Sequence, residues 1–277
     1  MKFGVYDVLT LIGSLGFFIY GMKIMSEGIQ KVAGAKMRQI LRVMTSNRFY
    51  GVLTGFLLTS LVQSSSATTV MVVSFVTAGL LSLVESIGVI MGANIGTTIT
   101  GWIISILGLK VKLADMALPI IAFGFPLLFS SRNRLKSWGE VVIGFALLFM
   151  GLQALKDAVP DIKSNPQMLE FLTNYTDLGF FSTLIFIGIG TLLTVVVQSS
   201  SATMAITILM ANEGWIPFEI AAAMILGENI GTTITANLAA LVANSHAKRA
   251  ARAHFIFNIF GVLWMLIFFN WFLKGID

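Results

Sequence analysis

The sequence has no cysteine, only 5 prolines and 2 histidines, and few charged residues, which make up 11% of its 277 residues. The absence of cysteine excludes disulfides, thiolate metal sites and a cysteine nucleophile. Hydrophobic residues, in contrast, make up 56% of the chain, well above the average for soluble domains. A span needs roughly 20 apolar residues, so this length allows about six crossings and no soluble catalytic domain. We therefore predict an all-α polytopic membrane protein.

The basic residues are the next feature, because the formal net charge is +5. Such a charge is compatible with nucleic-acid binding, but the Lys and Arg residues cluster between apolar segments, where they set membrane topology. The lipid bilayer is therefore the expected partner, and nucleic acid is not. The first apolar segment, residues 8–25, is long enough to span and is not followed by a small-residue cleavage pattern. We expect it to be the first span rather than a signal peptide.

Two motifs occur twice at the same separation of 135 residues, from 63 to 198 and from 94 to 229. The first, VQSSSAT at 62–68, returns unchanged at 197–203. The second, GANIGTTIT at 92–100, returns as GENIGTTIT at 227–235. Repetition of this kind indicates a duplicated structural unit. We predict two repeats, residues 1–137 and 138–277.

In each repeat the QSSS stretch separates two apolar segments that are too short to cross a membrane. In the first repeat these are residues 51–62 and 67–81, which as helices reach only about 18 and 22 Å at 1.5 Å per residue. The four polar residues from Gln63 to Ser66 favour turns and helix caps. We predict a re-entrant helical hairpin here and a second one at 180–210. Non-helical backbone at mid-membrane persists only where protein or a watery cavity covers it.

The second motif interrupts a longer apolar segment in each repeat, 83–109 in the first and 217–242 in the second. We predict a broken helix at both places. Glu85 and Glu219 lie near the starts of these segments, where a carboxylate favours the positive end of the helix. We expect both to act as caps. Further spans are expected at residues 114–129, 138–155 and 254–273.

Membrane topology follows from the hairpins. If they do not cross, each repeat makes an odd number of crossings and the second repeat is inverted relative to the first. One side of the membrane then holds 12 of the 18 basic residues, and this side should be cytoplasmic. We expect two inverted-topology repeats in the inner (cytoplasmic) membrane, with both termini facing outward.

The chemistry of the two motifs indicates a binding site for small ions. Exposed N–H groups at a helix N-terminus suit an oxyanion, whereas hydroxyl oxygens and unwound carbonyls suit a desolvated Na⁺. Small residues also serve close helix packing, which is the structural alternative. A pair of motifs repeated at fixed spacing favours the site. Inverted repeats with paired broken elements at the midplane are typical of secondary transporters.

The paired QSSS and GANIGTT or GENIGTT stretches resemble the type II sodium-dependent phosphate cotransporter family over nearly the whole chain. The resemblance implies symport of inorganic phosphate with Na⁺ as the coupling ion, by alternating access and without another cofactor. We expect the bacterial form that lacks a soluble C-terminal regulatory domain, since the sequence stops at Asp277. The implied substrate-binding residues are Gln63, Ser64, Ser65, Ser66, Asn94, Thr97, Ser199, Ser200, Ser201 and Asn229. The implied sodium ligands are Gln198, Ser199, Thr232 and Thr235.

Three polar residues outside this resemblance leave alternatives open. Glu228 stands where the first repeat has Ala93, and an intramembrane carboxylate is functional by default. It either binds Na⁺ or a proton, or it pairs with nearby backbone or with Arg252. His254 and Asn258 are one helical turn apart, which fits either a proton relay or a histidine at the membrane interface.

Two functional alternatives also stay open. Hydroxyls and helix dipoles bind any compact oxyanion, so another anion could replace phosphate. A membrane-embedded phosphatase could use serine nucleophiles, but no activating base accompanies either QSSS stretch in the sequence. We therefore expect a transporter and not an enzyme.

Overall fold

The part of the chain that the computed structural model describes consists of residues 5–43, 48–110, 113–158, 175–176 and 178–276, with only the backbone given at 34–38, 40–43, 48 and 110. These residues form helices and no strand, which confirms the predicted all-α class. Five helices are long and apolar enough to cross a membrane: Val5–Ala33, Leu83–Leu109, Asn133–Ala158, Phe180–Val197 and Ser245–Lys274. The protein is therefore a polytopic membrane protein.

The first half of the chain contains α1 Val5–Val43, α2 Arg48–Val62, α3 Ser65–Thr77, α4 Leu83–Gly96, α5 Thr98–Ile103, a π-helical segment Ile104–Lys110, a 3₁₀ turn Leu113–Met116 and α6 Ala117–Leu128. The second half contains α7 Asn133–Ala158, α8 Phe180–Val197, α9 Ser200–Asn212, α10 Phe218–Gly231, α11 Thr233–Ala240 and α12 Ser245–Lys274. The repeat boundary expected between 137 and 138 falls inside α7. The predicted division into two repeats stays a prediction.

The QSSS stretches form the two expected helix–turn–helix tips. Gln63 and Gln198 adopt left-handed backbone with φ of 57° and 58°, the only such non-glycine residues in the described chain. Each Gln side chain donates to a carbonyl in the preceding turn, Gln63 Nε2 to Ser60 O and Gln198 Nε2 to Val195 O. Left-handed backbone at a residue with a Cβ costs of order 1–3 kcal/mol and is concentrated at functional sites. The repeated strain therefore marks both tips as candidates for function.

The interruption at the second motif is much smaller than expected, because it is confined to one residue in each repeat. Thr97 and Thr232 keep helical backbone, with φ of −62° and ψ of −27° and −23°, and a new helix begins at the next residue. Residues 83–109 are long and apolar enough to be a single span. The free helix N-termini of the site therefore belong to α3 and α9, after the QSSS turns, and not to α5 and α11.

The glycines of the second motif serve helix packing rather than unwinding. Gly92 lies against the backbone of α2 so closely that an added methyl group would be 1.9 Å from Val52 O. Gly55, on the facing helix, is equally close to Val89 O. The same reciprocal contact joins α8 and α10 through Gly190 and Gly227. Small residues at these positions let α2 approach α4 closely and let α8 approach α10 closely.

Helices α1 and α7 pack antiparallel, which their glycine contacts show. Gly21 lies against the backbone of Leu148, and Gly151 lies against that of Phe18. Residue numbers thus fall along α7 as they rise along α1. The two helices occupy equivalent places in the two halves of the sequence, and inverted repeats require such an antiparallel relation. Their orientation in a bilayer stays a prediction.

The predicted caps have different outcomes. Glu85 is confirmed, since Ser82 Oγ accepts from Glu85 N at 3.3 Å and Glu85 Oε2 accepts from Ser82 N at 2.8 Å. This reciprocal pair is a capping box at the start of α4. Glu219 lies in the first turn of α10, but the residue that caps this helix is Pro217, which supplies no side-chain hydrogen bond.

Candidate functional site

The two QSSS tips, which are 135 residues apart in sequence, meet at one cavity of about 300 Å³. Gln63 and Ser64 line it from the first repeat, and Gln198 and Ser199 line it from the second. One face of α1 closes the cavity with the residues Ile19, Met22, Lys23, Ser26, Glu27 and Gln30. The repeated motif therefore builds one shared site rather than two separate ones.

A buried hydrogen-bond network connects the first tip to the second repeat. Gln63 is only 6% exposed, and its Oε1 accepts from Thr100 Oγ1 at 3.0 Å. The Thr100 hydroxyl, 3% exposed, lies 3.5 Å from Ser201 Oγ. Buried polar groups are costly without partners, so these hydrogen bonds hold the side chain of Gln63 in one orientation. It also couples the position of α9 to that of the first hairpin.

The equivalent bond in the second repeat joins Thr235 Oγ1 to Gln198 Oε1 at 3.2 Å. Here the glutamine is exposed, whereas Gln63 is buried. The two tips thus have the same local chemistry but different access to the cavity.

Both tips direct a helix N-terminus into the region of the cavity. Ser64 Oγ accepts from Ala67 N, and Ser199 Oγ accepts from Ala202 N, each at 3.2 Å. The first N–H groups of a helix have no intrahelical acceptor and carry partial positive charge. Two such ends facing one cavity provide donors for an anion without a fixed charge.

Charged groups enter the cavity only from α1. Lys23 and Glu27 are 3.9 Å apart, with both side chains largely in contact with solvent. In the described ranges no group of three or more His, Asp or Glu residues could hold a metal ion. The oxygens available to a cation at this site are the neutral hydroxyl and amide oxygens of the two tips and the carboxylate of Glu27, and such oxygen ligands suit a hard ion.

The other serines of the QSSS stretches lie behind the tips. Ser65 and Ser200 are buried as the first residues of α3 and α9, and Ser66 is half-buried. Ser201 reaches the site indirectly, through Thr100. Of the predicted substrate residues, the structure brings Gln63, Ser64 and Ser199 to the cavity.

The predicted residues of the second motif do not line the cavity, and Thr235 is connected to it only through its hydrogen bond to Gln198. Asn94 Nδ2 donates to Asn258 Oδ1 at 3.0 Å, and Thr97 Oγ1 donates to Ala93 O at 3.3 Å. Thr232 is buried, and its hydroxyl has no partner in the described chain. Asn229 is half-buried and does not line the cavity. Asn94 and Thr97 therefore have structural partners, so a direct ligand role for them stays a prediction.

His254 is 2% exposed and lies ten residues into α12, so other parts of the protein cover it, and its position relative to the membrane interface stays a prediction. Its carbonyl accepts from Asn258 Nδ2 at 2.9 Å. Asn258 thus bridges α12 and the second motif through Asn94. The sequence pattern placed His254 and Asn258 on one face correctly, but it contained no signal for the helix that covers this face.

Glu228 is buried within the protein at 1% exposure. Its Oε1 accepts from Thr207 Oγ1 at 2.6 Å, and its Oε2 has no partner in the described chain. The equivalent positions of the first repeat hold an apolar pair, Ala93 and Val72. Thr207 follows Ser200 by about 10 Å of helix, so Glu228 lies well behind the tip of the second hairpin. Its partner is Thr207 rather than Arg252.

Sequence reasoning missed Thr100 and the polar face of α1. The signal for Thr100 was present, since it is the counterpart of Thr235 at the offset of 135 residues. The polar residues of α1 from Lys23 to Gln30 recur at helical spacing within an apolar span, which also marks a protein-facing surface. Only the tertiary structure shows that this face closes the cavity.

A multi-spanning helical protein with two equivalent hairpin tips at one polar cavity belongs to the class of membrane transporters with internal repeats. The chain is a member of the Na⁺/Pi-cotransporter family, whose sequence model matches residues 17–157 and 164–275. This is a family of transporters and not of enzymes, as the sequence predicted.

Individual relatives differ in what their names say. Protein YqeW of Bacillus subtilis (strain 168), described as uncharacterised, is 32% identical over 91% of this chain and 79% of its own length. YjbB of Escherichia coli (strain K12), whose name gives inorganic phosphate export as a proposed activity, is 29% identical over 94% of this chain. The chain spans about half, 47%, of that protein. Human sodium-dependent phosphate transport protein 2B is 41% identical over 38% of this chain and 15% of its own length. No solved structure matches the chain.

Proposed function

We propose that the protein carries inorganic phosphate across the cytoplasmic membrane in symport with Na⁺, by alternating access of one central site. The observation that carries this proposal is the meeting of both QSSS tips at a single cavity. The family to which the chain belongs, and the relatives named for phosphate transport or export, support phosphate as the substrate.

Phosphate binds between the two helix N-termini. The hydroxyls of Ser64 and Ser199 line the cavity directly, and the partial positive charges of α3 and α9 favour a dianion or monoanion. Lys23 supplies the nearest positive side chain on α1, with Glu27 beside it. Such a site selects a small oxyanion in two ways. The anion has to fit the cavity, and its oxygens have to accept hydrogen bonds from the donors that the cavity provides.

Sodium binds at the second tip, where Gln198 Oε1 and Thr235 Oγ1 lie within 3.2 Å of each other. Ser199 contributes a third neutral oxygen from the next residue. Na⁺ bound there adds a positive charge next to the phosphate, so each ion strengthens the binding of the other. This mutual dependence is the energetic basis of coupling. Glu228 is bonded to Thr207, and neither Glu228 nor Thr232 lines the cavity, so their role as ligands is a separate proposal.

Alternating access follows from the different exposure of the two tips. In this conformation Gln198 is exposed and Gln63 is buried. The two repeats have the same local geometry. A second conformation in which Gln63 is exposed and Gln198 is buried would therefore open the site on the opposite side. The Thr100–Ser201 contact between the repeats would have to break and re-form during this exchange.

Uptake by the purified protein in liposomes tests the proposal. We expect radiolabelled phosphate to accumulate under an inward Na⁺ gradient, to do so far less when K⁺ replaces Na⁺, and to be displaced by arsenate. The reverse arrangement, with phosphate and Na⁺ inside, measures export. Transport of sulfate or a small carboxylate in place of phosphate would contradict the substrate assignment, and equal rates in Na⁺ and K⁺ would contradict the coupling.

A further inference from the structure

A second polar cavity, of about 410 Å³, lies outside the site described above. Its polar lining consists of Asp115, Gln153, Lys156 and Asp157, and its apolar lining includes Phe149, Leu152 and Leu209. None of these residues belongs to either repeated motif. The cavity therefore has no role in the proposed binding of phosphate.

The two cavities lie at different levels along the α1–α7 pair. The hairpin cavity contacts α1 between residues 19 and 30, whereas the second cavity contacts α7 between residues 149 and 157. Because these helices are antiparallel and Gly151 packs on Phe18, this part of α7 lies beside the residues of α1 that precede the hairpin cavity. The second cavity thus lies closer to the start of α1 and the end of α7 than the hairpin cavity does.

One apolar cluster contributes residues to both cavities. Its buried members include Met22, which lines the hairpin cavity, and Phe149, Leu152 and Leu209, which line the second cavity. Ile104, 0% exposed, belongs to the same cluster. We call these five residues the plug: Met22, Ile104, Phe149, Leu152 and Leu209. Different members of the plug line the two cavities, so the plug is the packed region that connects their walls.

The plug includes the start of the π-helical segment, Ile104–Lys110. Gly108 of this segment packs so closely on the plug that an added methyl group would be 2.6 Å from Leu152 Cδ2. π-helical turns are rare, less favourable than α-helix, and frequent at functional sites. The second repeat has no equivalent, because α11 ends at Ala240 and α12 begins at Ser245. The segment is therefore a specific feature of the first repeat.

Among the described residues, carboxylates outnumber basic side chains at the second cavity, which favours cations. Lys156 Nζ is 2.9 Å from Glu213 Oε1, at the end of α9, and this pair neutralises its charge. Asp115 and Asp157 remain as carboxylates facing the cavity, with Asp157 Oδ1 accepting from Gln153 Nε2 at 2.8 Å. A cavity lined by one sign of charge raises the local concentration of the opposite ion.

We propose that the second cavity is the opposite mouth of the transport path, through which Na⁺ reaches the hairpin site when the plug opens. The inference rests on the proposed function and adds the route and the gate. Ion binding at the tips displaces the π-helical segment and α9 from each other, which opens the plug on this side. In the present conformation the gate is closed and the hairpin cavity is open at the other end.

Cysteine accessibility tests the route directly, because the natural chain contains no cysteine. Single substitutions place a thiol in the hairpin cavity (Gln30→Cys), in the second cavity (Gln153→Cys) and in the plug (Leu209→Cys, with Leu152→Cys as a second variant). Val262→Cys serves as the control, since Val262 is equally buried but lies in a different core cluster. A membrane-impermeant thiol reagent is applied to either side of vesicles with defined protein orientation, in K⁺, in Na⁺, and in Na⁺ with phosphate.

We expect the Gln30 and Gln153 variants to react from opposite sides of the membrane. The plug variants should react slowly in K⁺ and at least about tenfold faster in one of the sodium conditions, from the side of Gln153, which corresponds to a shift of about 1.4 kcal/mol in the opening equilibrium. Reaction of the Gln30 and Gln153 variants from the same side would overturn the inference, as would plug thiols that stay as unreactive as that at Val262. Sodium-dependent opening without phosphate transport would keep the gate and refute the proposed substrate.

Discussion

Ser199→Ala should lower sodium-driven phosphate uptake by about 10- to 100-fold, because a hydrogen bond to a charged ligand contributes roughly 1.5–3 kcal/mol. Ser199 lines the shared cavity and begins the turn into α9. Ser64 has the same position and backbone in the first repeat, so Ser64→Ala should have an effect of similar size. Initial rates of uptake in liposomes measure both.

A second effect of these substitutions has to be separated from the first. Each serine also caps a helix, and loss of an N-cap costs about 0.5–2 kcal/mol of stability. Ser82→Ala is the matched control, because Ser82 caps α4 in the same way but lies away from the cavity. Ser199→Gly removes the hydroxyl while glycine is tolerated at the cap. Near-normal uptake by the Gly variant, together with loss in the Ala variant, would show that the hydroxyl acts only as a cap.

Thr100→Val should destabilise the protein by about 1–3 kcal/mol and strongly reduce uptake, because the buried Gln63 Oε1 would lose its donor. Thr235→Val removes the equivalent bond to the exposed Gln198, where water can replace the hydroxyl. We expect this variant to keep its thermal stability and to need a higher Na⁺ concentration for half-maximal uptake. Thermal unfolding in detergent and the sodium dependence of uptake distinguish the two variants.

The contact between Thr100 and Ser201 leads to a second prediction for Thr100. If its hydroxyl connects Gln63 to Ser201, combining Thr100→Val with Ser201→Ala should cost less than the two single losses added together. Strict additivity of the two effects on stability would show that the residues act independently. Equal behaviour of Thr100→Val and Thr235→Val would contradict the assigned asymmetry of the two tips.

The hairpins and the class of fold could be predicted from the sequence because they depend on short-range signals. In the first repeat, apolar segments too short to span, separated by Gln and Ser, specify a turn between two helices, whereas Phe180–Val197 in the second repeat is long enough to span. The repeat supplied the second hairpin without further assumptions. The extent of the break at the second motif could not be predicted in this way. Its glycines indicate weak helix propensity, yet in the fold Gly92 fits against the carbonyl of Val52 and the helix continues almost uninterrupted.

Long-range partners account for the rest of what the sequence did not reveal. Asn94 contacts Asn258, which is 164 residues away, and Glu228 contacts Thr207 on a different helix. Local patterning contains no information on such pairs. The polar face of α1 carried a local signal, but its role depends on how α1 packs beside both hairpins. Thr100, in contrast, follows directly from applying the repeat to Thr235.

The central claim is that two hairpin tips form one phosphate site, and binding stoichiometry tests it most directly. Equilibrium dialysis of the purified protein with radiolabelled phosphate in Na⁺ should give one phosphate per chain. Ser64→Ala and Ser199→Ala should each weaken this binding by about 10- to 100-fold, since both serines contact the same ligand. Two phosphates per chain, with one retained in each single variant, would show that each repeat has its own site and would contradict the account.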